Sequence, residues 1–297
     1  MTPNVTAVSY GLNVTPTALE QLRSILTAHG ASVLTENDGG DERYQVHVAE
    51  LQLPDATAAG LAVLRRAVAE AQISGLDTAL VPAGLRSAER KLLILDVDST
   101  LIQQEVIELL AAYAGKEEEV TAVTEAAMRG ELDFTQSLHT RVEVLAGLPA
   151  DVVHSVSDQV KLSEGAAELV AAFKAAGHVV AVVSGGFNQT LEPIAGELGL
   201  DYWQANELEI VDGALTGKVL GAVVDRAAKE KYLREWAAGE GIALEHTIAV
   251  GDGANDLDML GAAGICVAFN AKPAVRAAAD AVVNMPYLDA VRHIAGV

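Results

Sequence analysis

Three short apolar runs in this chain each end in residues rich in oxygen atoms, and no other feature restricts the fold as much. Leu92-Leu93-Ile94-Leu95 leads into Asp96-Val97-Asp98-Ser99-Thr100, and Val179 to Val183 leads into Ser184-Gly185-Gly186. Thr247 to Val250 leads into Gly251-Asp252-Gly253-Ala254-Asn255-Asp256. Continuous apolar runs this short suit strands buried on both faces, as in a parallel sheet. Open α/β sheets bind ligands beyond the carboxyl ends of their strands. The expected core is therefore a doubly wound, mainly parallel α/β sheet whose three oxygen-rich strand ends converge on one site.

The rest of the chain arranges itself around that core. Residues 1–86 read strand, helix, strand, strand, helix, strand, the ferredoxin-like α+β plan. Thr15 is placed to cap the first helix, with Pro16 in its first turn and Leu19, Leu22 and Leu26 on one face. The polar Asn37-Asp38-Gly39-Gly40 reads as the turn between the middle strands, and Pro82 to Glu89 as a linker. Residues 87–297 carry the α/β core, with a helical cap inserted at about 105–165. Gly115, Gly130 and Gly147 punctuate its helices at positions suited to a left-handed terminal residue. Asp212-Gly213 signals a hairpin, followed by a helix over about 229–238. An insertion after the first core strand overhangs the site and reads as a lid.

Composition excludes several partners. Twenty basic against 41 acidic side chains give a net charge of −21, which opposes nucleic acid and anionic membranes. No run approaches the roughly 18 apolar residues of a membrane span, and the N-terminus lacks a basic segment followed by an apolar one. The single cysteine, Cys266, sits in an apolar run and reads as a buried strand residue. A cytoplasmic address is the resulting expectation, and the acidic field also slightly opposes an anionic small substrate at long range.

The chemistry of the strand ends is specific. Asp96 and Asp98, two apart on an extended backbone, project to the same side. One carboxylate can attack phosphorus while its neighbour manages a proton. Like charges about 4 Å apart repel by roughly 4 kcal/mol at an effective dielectric of 20, so a carboxylate nucleophile facing a phosphate calls for a divalent cation. Mg²⁺ suits such hard oxygen ligands. Asp96 and Asp252 are the expected ligands, with the backbone carbonyl of Asp98, and Asp256 supports them from behind. Asp98 fits the general acid for a departing alcohol. Ser184 and the backbone donors after it fit phosphoryl oxygens. Lys229 is the expected neutralising cation, ahead of Lys231. Phe134, Leu138 and Arg141 share one helical face, where an aromatic ring and a guanidinium fork suit a small carboxylate.

These motifs resemble those of the haloacid-dehalogenase-like superfamily of phosphotransferases, over about residues 90 to 297. The further segments Ala127 to Phe134 and Val183 to Phe187, with Glu105 shortly after the Asp-x-Asp motif, resemble its phosphoserine phosphatase family. The resemblance implies a Mg²⁺-dependent phosphatase releasing serine from O-phosphoserine at the end of phosphorylated serine biosynthesis. It makes Asp96 the nucleophile and Asp98 the acid/base, and it assigns catalytic roles to Ser184 and Lys229. It implies that Glu105 binds the substrate ammonium and Arg141 its carboxylate, with Met128, Phe134, Gly185 and Asn255 completing the pocket. The N-terminal unit resembles ACT-like domains in element order, which implies a regulatory role or homodimerisation. The alternatives are a phosphatase or phosphotransferase for another small phosphomonoester, and a non-catalytic amino-acid sensor.

Overall fold

The computed structural model describes residues 4–129 and 131–297. Four antiparallel strands form the N-terminal sheet: Val5–Gly11 (β1), Ser32–Gly40 (β2), Gln45–Gln52 (β3) and Asp77–Pro82 (β4), in the order β2-β3-β1-β4. Helices Pro16–Ala28 and Ala58–Glu70 cover one face. The Thr15 hydroxyl accepts from the Ala18 N–H at 3.2 Å, and Pro16 opens the helix as expected. One expectation fails. Asn37 to Gly40 is not the turn but the end of β2, and Gly40 pairs with Gln45. Pairing with β3 satisfies backbone groups there, and the turn moves to Asp41–Tyr44. Gly40 permits this: its φ is +104°, and a Cβ would lie 2.3 Å from the Tyr44 carbonyl oxygen.

Alternation along β1 explains how this sheet is seated. Val5 and Ala7 point to Leu22, Leu26, Leu61 and Leu64 of the two helices. Val8 and Tyr10 point the other way and join the apolar core that includes Leu93, Val291 and Ile294. Polar contacts pin the same junction. Tyr10 Oη donates to the Val282 carbonyl at 2.8 Å, and the Asn284 N–H donates to Asp77 at 2.8 Å. The fully buried Asp289 accepts from Tyr44 Oη at 2.9 Å and from Arg43 Nη2 at 2.7 Å. The expected linker contains the short helix Ala83–Ser87, whose Leu85 is buried, so this segment packs against the molecule.

The second sheet has seven strands: Leu92–Leu95 (β5), Val179–Phe187 (β6), Tyr202–Val211 (β7), Ala214–Leu220 (β8), Thr247–Gly251 (β9), Ile265–Phe269 (β10) and Ala281–Val283 (β11). Their order is β11-β10-β9-β5-β6-β7-β8, parallel throughout except for the β7–β8 hairpin. The three runs with oxygen-rich ends are the adjacent central strands β9, β5 and β6. Cys266 is buried on β10.

The cap consists of helices Val106–Tyr113, Glu117–Met128, Phe134–Glu143 and Asp151–Ser157. Its two stems run side by side: Gln103 N–H bonds to the Lys161 carbonyl and Ser163 N–H to the Leu101 carbonyl, both at 2.9 Å. The β7–β8 hairpin holds the far side. Gly147 N–H donates to the Leu215 carbonyl, and Leu215 N–H to the Leu148 carbonyl, each at 2.8 Å. Gly115 and Gly147 have positive φ, as expected of them, while Gly130 lies outside the described residues. Among the described residues, no helix is long and apolar enough to cross a membrane.

Candidate active site

Asp96 N–H donates to the Val250 carbonyl at 2.9 Å, which fastens the end of β5 beside Gly251 and Asp252 at the end of β9. The chain then folds back sharply. Ser99 has φ +58°, uncommon for a residue with a Cβ. Its Oγ donates to Glu105 Oε1 at 2.7 Å, so the loop returns Glu105 to the aspartates. Asp98 is held on both oxygens: Oδ1 accepts from the Val106 N–H at 2.8 Å and Oδ2 from Ser184 Oγ at 2.9 Å. The Gly186 N–H donates to Ser184 Oγ at 2.7 Å. Burial raises the pKa of Asp98, opposed by these donors and by the charges of Lys229 and Arg141. A carboxyl inclined to hold a proton suits a general acid.

Lys229 is fully buried, with Nζ 2.5 Å from Asp96 Oδ1 and 2.7 Å from Asp256 Oδ1. Burial works against its charge, yet Asp256 and Asp96 hold its pKa above the usual lysine range. The sequence placed Lys229 at the start of a helix; that helix runs from Arg226 to Gly239, because the Asp225 side chain caps it by accepting from Ala228 N–H at 2.9 Å. Lys231 is exposed and 3.7 Å from Glu235, away from the site.

Carboxylate oxygens of Asp96, Asp252 and Asp256 lie within 4.8 Å of one another. Asp96 Oδ2 and Asp252 Oδ1 are buried without a hydrogen-bond partner. Buried anionic oxygens in that state fit a hard divalent cation. Asp256 is already engaged, through Lys229 and through the N–H groups of Asp252 and Gly253 at 3.2 and 3.1 Å. It therefore fits the supporting part expected of it. The Asp98 carboxylate lies outside this trio, turned to Ser184 and Val106.

Metal-free protein should reveal the strain of this cluster. Burial first, then Asp256, push Asp252 from its ordinary 3.8 up to about 7. A carboxyl raised in this way favours the folded state below its ordinary pKa, and that contribution is lost as pH rises through about 7. Protons also compete with a cation for the same oxygens. Mg²⁺ is therefore expected to raise Tm by several degrees at pH 8 and little at pH 5. Equal shifts at both, in a thermal melt, would contradict the site.

The cap supplies the facing wall. Glu105, Met128, Phe134, Arg141, Gly185 and Asn255 line one cleft with Asp96 and Asp98. The Arg141 guanidinium lies 5.8 Å from the Phe134 ring centroid. Its Nε donates to the Ser137 carbonyl at 3.1 Å and its Nη1 to Thr124 Oγ1 at 3.0 Å, while Nη2 is buried without a partner. Asn255 Oδ1 is likewise buried and unpaired. The free space in this cleft is about 20 Å³, room for roughly one water. A larger cavity of about 310 Å³ shares Glu105 and Met128 with this cleft and is also lined by Glu108, Glu117, Thr124, Glu125 and Lys272.

Phe134 seats directly against Gly185: a Cβ there would lie 2.4 Å from the ring's Cζ. Gly185→Ala should hold the cap off the core and lower kcat/KM by roughly 5- to 150-fold, the equivalent of about 1–3 kcal/mol for overpacking. Unchanged kcat/KM in phosphate-release assays would show that the Phe134 contact is dispensable.

Every predicted site residue thus comes together: Asp96, Asp98, Ser184, Lys229, Asp252 and Asp256 from the core, Glu105, Met128, Phe134 and Arg141 at the cap, with Gly185 and Asn255 between. The sequence reading missed Thr124 and the contact of Ser99 with Glu105. Ser99 stands inside the recognised motif, but the left-handed turn that aims it leaves no trace in composition. Thr124 shares a helical face with Met128, four residues on, and that is its only signal.

Asp96 and Asp98 at the end of β5, Asp252 and Asp256 just beyond β9 and the buried Lys229 thus form one acidic cluster beneath an inserted helical cap. The chain belongs to the haloacid dehalogenase-like hydrolase family, whose sequence pattern matches residues 93–261. It is 58% identical over 235 residues to a phosphoserine phosphatase of Streptomyces coelicolor, covering 79% of this chain and 57% of that one. It is 54% identical over 222 residues to the phosphoserine phosphatase SerB2 of Mycobacterium tuberculosis, covering 75% and 54%. The chain thus spans about half the length of these curated relatives. A solved structure described as a phospho-aspartyl intermediate analogue of phosphoserine phosphatase is 45% identical, with a TM-score of 0.68, covering 69% of this chain and 99% of that one.

Proposed function

We propose that this chain hydrolyses O-phospho-L-serine to L-serine and phosphate, the last step of a phosphorylated route to serine, in the cytoplasm. The observation that carries this reading is that Glu105 and the buried Arg141 both line the cleft that holds Asp96. One acid and one guanidinium whose Nη2 is unpaired complement the ammonium and carboxylate of an amino acid. The relatives support the same substrate.

Asp96 attacks phosphorus in line, forming its own bond to phosphorus as the bond to the serine oxygen breaks. Asp98 gives its proton to that departing oxygen. Asp98 then takes a proton from water as the water attacks the aspartyl-phosphate, which frees phosphate and restores Asp96. The Ser184 hydroxyl, the Gly185 N–H, Asn255 and Lys229 hold the phosphoryl oxygens. Asp96 and Asp252, with the Asp98 carbonyl and Asp256 in support, would hold Mg²⁺, which when bound would neutralise the negative charge of the reacting groups. With only about 20 Å³ free beside Asp96, this reading requires the cap over about 105–165 to move aside for an amino-acid phosphate.

In this reading residues 1–86 are a regulatory or dimerising ACT-like unit joined to the phosphatase unit, 87–297. The test is release of serine and phosphate from O-phospho-L-serine with and without Mg²⁺. Metal-dependent turnover supports the reading. Turnover of other phosphomonoesters alone would replace the substrate, and no turnover of any ester by folded protein with Mg²⁺ would point to a sensor.

A further inference from the structure

Arg141 presents a specific problem. A buried guanidinium on a flexible stem has three carboxylates to turn toward, since the charges of Glu105, Asp98 and Glu108 all reach it. Recognition of a carboxylate needs the opposite outcome, a fork held ready with free donors. Two anchors at different nitrogens achieve it. The Ser137 carbonyl, one helical turn back, accepts from Nε at 3.1 Å. This anchor is backbone and would exist with any residue at position 137. The second is encoded by a side chain, since Thr124 Oγ1 on the neighbouring helix Glu117–Met128 accepts from Nη1 at 3.0 Å. Together they fix the guanidinium plane and leave Nη2 as the nitrogen without a partner.

Thr124 is costly in any other role. Threonine is a weaker helix former than alanine or leucine, and a buried hydroxyl is unfavourable unless hydrogen-bonded. The residue is 2% exposed, and its hydroxyl bonds to Arg141. A valine would fill the same space without the hydroxyl. We propose that Thr124 is a positioning residue for substrate selection, holding the Arg141 fork for the substrate carboxylate and away from Glu105 and Glu108. The proposal rests on the O-phosphoserine reading above and adds to it a residue outside the lining of the cleft that holds Asp96.

The experiment compares wild type, Thr124→Val and Thr124→Ser on O-phospho-L-serine and on phosphoethanolamine, which lacks the carboxylate. The ratio of kcat/KM for the two esters does not depend on the fraction of protein that folds. Thr124→Val is expected to lower that ratio roughly tenfold, in keeping with one lost hydrogen bond to a charged group. The loss should appear mainly as a higher KM for O-phospho-L-serine, because the contact is to a non-reacting part of the substrate. Thr124→Ser should restore the ratio. An unchanged ratio in Thr124→Val, or a ratio that Thr124→Ser fails to restore, would overturn the proposal while leaving wild-type selectivity intact. Wild-type protein with no preference for O-phospho-L-serine would instead overturn the underlying substrate reading, and this inference with it.

Discussion

Asp96→Asn is expected to abolish turnover, by about 10⁴-fold or more, while the protein stays folded. An amide cannot form the acyl-phosphate, and no neighbour can take over the attack. Asp98 is pinned on both oxygens by Val106 N–H and Ser184 Oγ, and Asp256 is tied to Lys229 and to two N–H groups. Losses of a nucleophile in enzymes that proceed by covalent catalysis reach this scale. Folding should survive because asparagine keeps the size of the side chain and because burial and Asp256 already burden the Asp96 charge, raising its pKa well above the ordinary range. Removing the charge relieves that burden, at the expense of one partner of Lys229. Phosphate release from O-phospho-L-serine, with a thermal melt beside it, is the check; turnover within tenfold of wild type would exclude Asp96 as nucleophile.

Lys229→Met should damage both activity and stability, unlike Asp96→Asn. Lys229 has no exposed surface and bridges Asp96 and Asp256. Removing one partner of a buried ion pair typically costs about 3–5 kcal/mol, since the remaining charge is buried without compensation. Here the carboxylates can take up protons, which places the expected loss near the lower end, on the order of 3 kcal/mol. The denaturation midpoint should fall accordingly, and activity by at least about 10³-fold, because both the nucleophile's orientation and a cation for the phosphoryl oxygens go together. A variant with wild-type midpoint and activity would mean that this lysine neither orders the carboxylates nor meets the substrate.

The parts of the molecule legible in the sequence are those governed by local pattern. Leu92 to Leu95 and Thr247 to Val250 read as doubly buried strands because nothing polar interrupts them, and they lie side by side at the centre of the sheet. The Thr15-Pro16 helix start was equally local. Less was legible where tertiary contact decides. The extension of β2 through Gly40 depends on pairing with β3 and on the Asp41–Tyr44 turn, whose Arg43 and Tyr44 reach Asp289, some 245 residues away along the chain. The burial of both faces of β1 depends on a C-terminal helix that no N-terminal pattern announces. In the site, Asp96, Asp98 and Lys229 stand out by residue type, whereas Thr124 matters only because another helix brings Arg141 to it.

The central claim is that Glu105 and Arg141 read both ends of an amino acid whose phosphate lies at Asp96. The most direct measurement is kcat/KM with Mg²⁺ for O-phospho-L-serine against phosphoethanolamine, without the carboxylate, and glycerol phosphate, without either charged group. A fall of at least about tenfold is expected on losing the carboxylate and a further fall on losing the ammonium, because buried charged partners are left unpaired. Comparable values for all three esters would contradict the claim.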